Sequence, residues 1–188
     1  MTWWWEGNRL ERIAKGLLLA GIYGLTCWAA RTVSLDQFYL PAGIRLAALI
    51  LFPTRLWLYL LIGEYAYLAH MRVPMIGKFG VPWAVISSIT LLPTVALIVR
   101  LHLKRMNEEQ GVWILSAAAL SALAVSALNI AFAHLLMPSP PRYSVATDAI
   151  RFSIGDYLGM LTVVPLAVLW KSRDALFFDA IIYAKSST

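Results

Sequence analysis

Six apolar runs, separated by short polar joins, decide most of what this chain can fold into. They cover residues 13–30, 38–52, 56–71, 81–99, 112–137 and 152–170. A helix needs about 20 residues to cross the hydrocarbon core of a bilayer, fewer where it is partly shielded. The expected fold is therefore all-α: a polytopic membrane protein of about six transmembrane helices. Composition agrees. Of the 188 residues, 60% are hydrophobic and 14% charged, whereas soluble domains sit near half and a quarter. The mean hydropathy is +0.70. This balance excludes a soluble enzyme and a disordered chain. It also excludes a disulfide-framed secreted domain, since Cys27 is the sole cysteine and has no partner within the chain. The length suits one membrane-embedded unit, residues 1–188. Residues 1–12 form a cytoplasmic or interfacial N-terminus, 13–170 the core, and 171–188 a cytoplasmic tail or linker.

The net charge of +6 does not point to nucleic acid, because the basic residues form no stripe and no nucleic-acid motif accompanies them. They report orientation instead. With the N-terminus in the cytoplasm, the inner segments carry Arg9, Arg12, Lys15, Arg55, Arg100, Lys104, Arg105, Lys171, Arg173 and Lys185. The outer ones carry Arg31, Arg72, Lys78, Arg142 and Arg151. Excess Lys and Arg mark cytoplasmic loops, so both termini are expected in the cytoplasm. Arg9, Arg12 and Lys15 ahead of an apolar run resemble the start of a signal peptide. Cleavage would leave only five runs, so a retained anchor is expected. Trp3, Trp4 and Trp5 read as an interfacial anchor or an amphipathic cap. The connection 138–148 carries Pro138, Pro140 and Pro141 and reads as a stiff spacer. The tail after Trp170 is too short to span. It either lies on the membrane, begins another span or forms a linker helix.

Ionisable groups at membrane depth are costly and call for a partner or a function. Arg45, Glu64 and Asp156 are the three that stand out. Arg45 lies nine residues before Thr54 and Glu64 ten after it, across the turn Pro53-Thr54-Arg55. In an antiparallel hairpin both reach roughly 14 Å from the inner surface, at 1.5 Å per residue. An ion pair near the midplane is expected. Asp156 is placed about one turn further out, within reach of a long arginine side chain. Asn129 and His134, in the outer half of the fifth run, could line the same space. Two readings stay open. The three charges form a structural network locking three helices, or Arg45 sits in an outward-facing polar cavity and receives a small anionic ligand. Arginine suits the second role because its planar fork matches an oxyanion.

Small residues have a simpler reading. Gly155 and Gly159 form a GxxxG spacing, and Ser116, Ala117, Ala118, Ser121, Ala122 and Ser126 crowd the fifth run. Such residues let membrane helices approach closely. Pro41 and Gly43 weaken the first turn of the second run, as a plain opening turn or as a break exposing amides to a ligand. Pro93 falls inside an apolar run and predicts a kink; Pro165 also lies inside a run, among the helix-packing positions. His70, His102 and His134 are isolated, and no spacing predicts a metal site, a phosphate loop or a catalytic nucleophile. No cofactor and no catalytic residue is expected.

Four blocks in order carry a family resemblance over roughly residues 13–170. They are Leu40-Pro41-Ala42-Gly43-Ile44-Arg45, Gly63-Glu64, Thr90-Leu91-Leu92-Pro93, and Gly155-Asp156-Tyr157-Leu158-Gly159 with Val164-Pro165-Leu166 after it. Together they resemble the MASE1 membrane-associated sensor domain. The pattern Pro41-x-Gly43-x-Arg45, Phe52-Pro53-x-Arg55 and Gly63-Glu64 is most similar to the membrane region of bacterial sugar-phosphate sensor histidine kinases. The aromatic-Pro-Pro opening of the family is reduced here to Tyr39-Leu40-Pro41. The resemblance implies a sensory module of the inner membrane that passes a signal to a histidine kinase, a diguanylate cyclase or a partner protein. It implies no ligand identity and no catalysis within this chain. The lipid bilayer is its first partner; a companion membrane protein, a homodimer and a small anionic ligand fit the same reading. The alternatives are a small transporter component and a membrane scaffold subunit.

Overall fold

A computed structural model of the protein describes residues 8–35, 38–103, 110–137 and 145–186. The Trp3–Trp5 cluster, the inner loop 104–109 and the proline-rich stretch 138–144 lie outside the described residues, as do the side chains of 172–186. The described chain is helical: α1 (Arg9–Val33), α2 (Leu40–Leu51), α3 (Trp57–Arg72), α4 (Ile76–Phe79), α5 (Val81–Leu103), α6 (Gln110–Leu136) and α7 (Val145–Ser186). Short 3-10 turns at Thr54–Leu56 and Val73–Met75 join α2 to α3 and α3 to α4.

Local chemistry explains the ends. Asn8 caps α1, its side chain accepting from the Glu11 N–H at 2.9 Å, and Glu11 complements the first turn of the helix dipole. Pro41 stands in the first turn of α2, where its missing N–H costs nothing. Gly80, with φ 85°, makes the sharp corner between α4 and α5 that side chains resist.

Four helical stretches are long and apolar enough to cross a bilayer: Arg9–Val33, Val81–His102, Val112–Leu136 and Val145–Lys171. The second and third runs become shorter helices, of 12 and 16 residues. At 1.5 Å per residue these are about 18 and 24 Å long. Their position explains how short helices survive. Pro41, Ala42, Gly43, Arg45, Leu46, Ala47, Ala48 and Leu49 are all buried, so α2 is walled in by protein. It packs most extensively on α7 and also touches α1 and α5, while α3 leans on α1 and α5. Irregular backbone at membrane depth is tolerated only inside such a wall. The ends of α2 are accordingly paired: Tyr39 N–H donates to the Gly155 carbonyl at 3.0 Å. Leu40 N–H donates to Ser34 Oγ at 3.1 Å, and Trp57 Nε1–H to the Phe52 carbonyl at 3.1 Å.

The outer faces are apolar as well. Leu17, Leu18, Ile22 and Leu25 on α1, Leu97 and Leu101 on α5, Leu120 and Leu123 on α6, and Leu166 and Leu169 on α7 are exposed. A water-soluble protein rarely leaves so much apolar surface uncovered; lipid is the solvent that suits it. On α6 the inward face is small: Ala117, Ala118, Ser121, Ala122 and Ser126 are buried.

The proline within α5 is accommodated in an unexpected way. α5 continues through Pro93, which cannot donate to the carbonyl four residues earlier, Ile89. Tyr65 of α3 supplies the missing hydrogen, its hydroxyl donating to that carbonyl at 3.1 Å. α7 likewise runs through Pro165 and on past Trp170 to Ser186. The tail backbone is thus continuous with the last apolar helix.

Candidate functional site

Arg45 and Glu64 meet in the interior, 1% and 0% exposed, although α2 and α3 do not themselves pack closely on each other. Arg45 Nε donates to Glu64 Oε1 at 3.1 Å, and Nη2 donates to the same oxygen at 2.5 Å. Glu64 Oε2 accepts the Tyr23 hydroxyl at 2.5 Å. Both carboxylate oxygens are therefore engaged, and α1, α2 and α3 are tied at one point. Tyr23 is the member that sequence reading missed. A tyrosine in an apolar run reads as another hydrophobe, and nothing in the periodicity says which helix its hydroxyl meets. Gly24, one residue on, marks the spot: a β-carbon there would lie 2.9 Å from the Gly63 carbonyl oxygen. The close approach of α1 and α3 next to Glu64 is what puts Tyr23 in range.

Asp156 makes no direct contact with the pair, and it interacts with Arg45 only at longer range. It is 9% exposed, yet no hydrogen bond or ion pair to it occurs among the described residues. The reason is geometric. Arg45 turns two of its nitrogens onto Glu64, which leaves α7 to bring Asp156 into the same interior without a donor of its own. Asn129 is half-buried and His134 exposed on α6. Among the described residues neither forms a polar contact with Arg45, Glu64 or Asp156.

The glycines face α2. A β-carbon added at Gly43 would overlap the Gly159 carbonyl, and one added at Gly159 would overlap the Tyr39 carbonyl. With the Tyr39 N–H on the Gly155 carbonyl, this gives a close backbone joint between the start of α2 and the middle of α7. Pro41 and Gly43 form a plain opening turn, since the Leu40 amide is taken by Ser34 rather than presented to a ligand.

A second polar layer lies beyond the ion pair, toward the ends of α1 and α3. Tyr39 and Tyr67 share a hydroxyl–hydroxyl bond of 2.9 Å. The Arg31 guanidinium stacks over the Tyr39 ring, 5.5 Å from its centroid. Arg72 donates to Ser87 and, at 3.1 Å, to Ser88, and stacks over Trp83 at 5.0 Å. None of these was singled out from sequence. Arginines at the ends of apolar runs look like interfacial anchors, and their tertiary partners carry no local pattern.

A walled-in short helix, a buried ion pair at its middle and a backbone joint to a long outgoing helix define an all-helical membrane domain. Its polar interior is linked internally, from α1 through α3 to α2, by the Tyr23–Glu64–Arg45 bonds. The chain belongs to the MASE1 family, membrane-associated sensor domains, whose sequence profile matches residues 13–178. No curated protein and no solved structure matches the chain.

Proposed function

We propose that this domain is a signal-input module of the bacterial inner membrane. It crosses six times with both termini in the cytoplasm, and it hands its signal to a histidine kinase or diguanylate cyclase output domain or to a partner protein. The observation that carries this reading is the joint between α2 and α7. Tyr39 meets Gly155 through a main-chain hydrogen bond of 3.0 Å, and α7 then continues to Ser186 without a break. Anything that shifts α2, which the Arg45–Glu64–Tyr23 cluster ties to α1 and α3, must also shift the helix that leaves the bundle.

Sensing requires two packings of similar free energy and a signal with different affinity for each. Asp156 is the group suited to distinguish them. It sits on α7, buried and without a donor, while Arg45 holds its fork toward Glu64. A packing that turns Arg45 toward Asp156 exchanges one carboxylate for another. Two short helices count as spans because protein, not lipid, surrounds α2; the bias of Lys and Arg toward one side gives the orientation.

The test is a fusion of residues 1–186 to a diguanylate cyclase reporter, read as cyclic dinucleotide at equal membrane abundance. Asp156→Asn and Arg45→Ala are expected to move basal output severalfold, in either direction. Unchanged output from both, in protein that is folded and inserted, would overturn the proposal. A fluorescent protein fused after Ser186 should fluoresce, as it does only in the cytoplasm; a periplasmic reporter active there would overturn the six-span topology.

A further inference from the structure

At the end of the bundle where α1 finishes, a crevice of about 440 Å³ opens between Trp28, Arg31, Thr32, Ser34, Leu35 and Met71. Its size lies in the range of small-molecule sites. We infer that this crevice, and not the sealed Arg45, is where an amphiphilic oxyanion is received: a phosphate or carboxylate group on an apolar or aromatic body. Arg45 is 1% exposed and committed to Glu64, so it offers no path to a molecule arriving from outside.

The lining sorts the chemistry. The Thr32 hydroxyl donates to the Ala29 carbonyl at 2.7 Å, and the Ser34 hydroxyl donates to the Ala30 carbonyl at 2.7 Å. Both have spent their protons on α1, and Ser34 Oγ also accepts the Leu40 N–H, so neither donates into the crevice. Arg31 is the one lining residue with a charge. Among the described residues it makes no ion pair and no hydrogen bond; its contact is the stack on the Tyr39 ring. A cationic ligand would meet it unfavourably. An oxyanion matches its planar fork. Trp28, Leu35 and Met71 provide the apolar wall, with Trp28 45% exposed and Leu35 73% exposed. An apolar body laid against them leaves water as the head group meets Arg31.

Occupancy has a route inward. Tyr39 lies under Arg31, shares its hydroxyl with Tyr67 and gives its N–H to Gly155 of α7. A ligand that draws Arg31 off the ring acts on the residue that joins α2 to α7. This inference rests on the input-module reading for its purpose, but binding is measured without any output domain. A silent reporter leaves the binding result standing, and absent binding leaves the reporter result standing.

The same anionic chemistry comes from two sources, a lipid headgroup or a dissolved molecule, and the experiment separates them. The full chain is placed in nanodiscs of digalactosyldiacylglycerol, whose headgroup carries no phosphate, and titrated with phenyl phosphate by calorimetry, with phenol as the uncharged control. Phenyl phosphate should bind and phenol should not. Arg31→Gln should weaken binding by about tenfold or more, the loss of a charge-assisted contact, with Arg31→Lys in between. Trp28→Ala should weaken it through the wall alone. In a second arm a third of the lipid is phosphatidylglycerol. If that lipid raises the melting temperature of the wild type but not of Arg31→Gln, and phenyl phosphate no longer binds, the headgroup is the occupant and the site stands. The inference is overturned if neither anion has an effect that depends on Arg31 in variants that retain the wild-type helix content.

Discussion

Replacing Glu64 with glutamine is the sharpest perturbation of this interior. The change is isosteric, so it opens no cavity, and the new amide still offers an oxygen to Tyr23. What it removes is the charge facing Arg45. Arg45 is 1% exposed and directs two nitrogens at a single carboxylate oxygen, at 2.5 and 3.1 Å. Removing one partner of a buried pair costs about 3–5 kcal/mol because the remaining charge is left uncompensated. At 1.4 kcal/mol per tenfold this is a loss of roughly a hundredfold or more in the ratio of folded to unfolded protein. The double variant Arg45→Met, Glu64→Gln removes both charges at similar volume and should sit within about 1–2 kcal/mol of the wild type, far from the sum of the singles. Equilibrium unfolding in bicelles by steric trapping measures all four corners of the cycle. Asp156→Asn in the wild-type background serves as the control. It has no ion-pair partner among the described residues, so its effect on stability should stay within about 1 kcal/mol even where it shifts reporter output. If Glu64→Gln also falls within about 1 kcal/mol, or if the cycle shows no coupling, the account of the pair as the fixed point of α1, α2 and α3 is wrong.

Two further outcomes follow from backbone chemistry. Tyr65→Phe should cost about 1 kcal/mol by leaving the Ile89 carbonyl without a donor, and the cost should vanish in a Pro93→Ala background, where the helix supplies its own N–H; equal costs in both backgrounds, read by the same unfolding assay, would dismiss the Tyr65 role. Gly159→Ala should push α7 off the Tyr39 carbonyl and destabilise by about 1–3 kcal/mol, as overpacking does; Gly77→Ala, where an added carbon meets open space, should be close to neutral, and a neutral Gly159→Ala would contradict the close joint.

Much of this molecule was legible in the sequence where helical rise alone sets the answer. Counting residues from Thr54 placed Arg45 and Glu64 at one depth, and their side chains meet even though α2 and α3 do not pack closely on each other. The GxxxG spacing in the last apolar run pointed to a close packing face, though not to α2 as its partner. The short α4 escaped notice because Ile76, Gly77, Lys78 and Phe79 lack both length and period. The extension of α7, left open in the sequence between a surface segment, another span and a linker helix, was undecided for the opposite reason. Lys171, Ser172, Arg173 and Asp174 end the apolar run, but no glycine or proline follows to end the helix. Polarity marks where lipid stops, not where helical hydrogen bonding stops. Tyr23, Tyr39, Tyr65 and Tyr67 were invisible for a third reason: a buried phenol behaves as a hydrophobe until tertiary contacts decide where its one polar atom goes.

The unbroken length of α7 has a mechanical consequence. Between the contact at Gly159 and the far end at Ser186 lie 27 residues, about 40 Å of helix. With Gly159 as fulcrum this is a lever arm longer than the hydrocarbon core is thick, about 30 Å. A tilt of about 5° at the fulcrum sweeps the end through roughly 3.5 Å, about two-thirds of a helical pitch. Displacements too small to disturb packing beside Tyr39 therefore arrive at the Ser186 end as movements on the scale of a side chain.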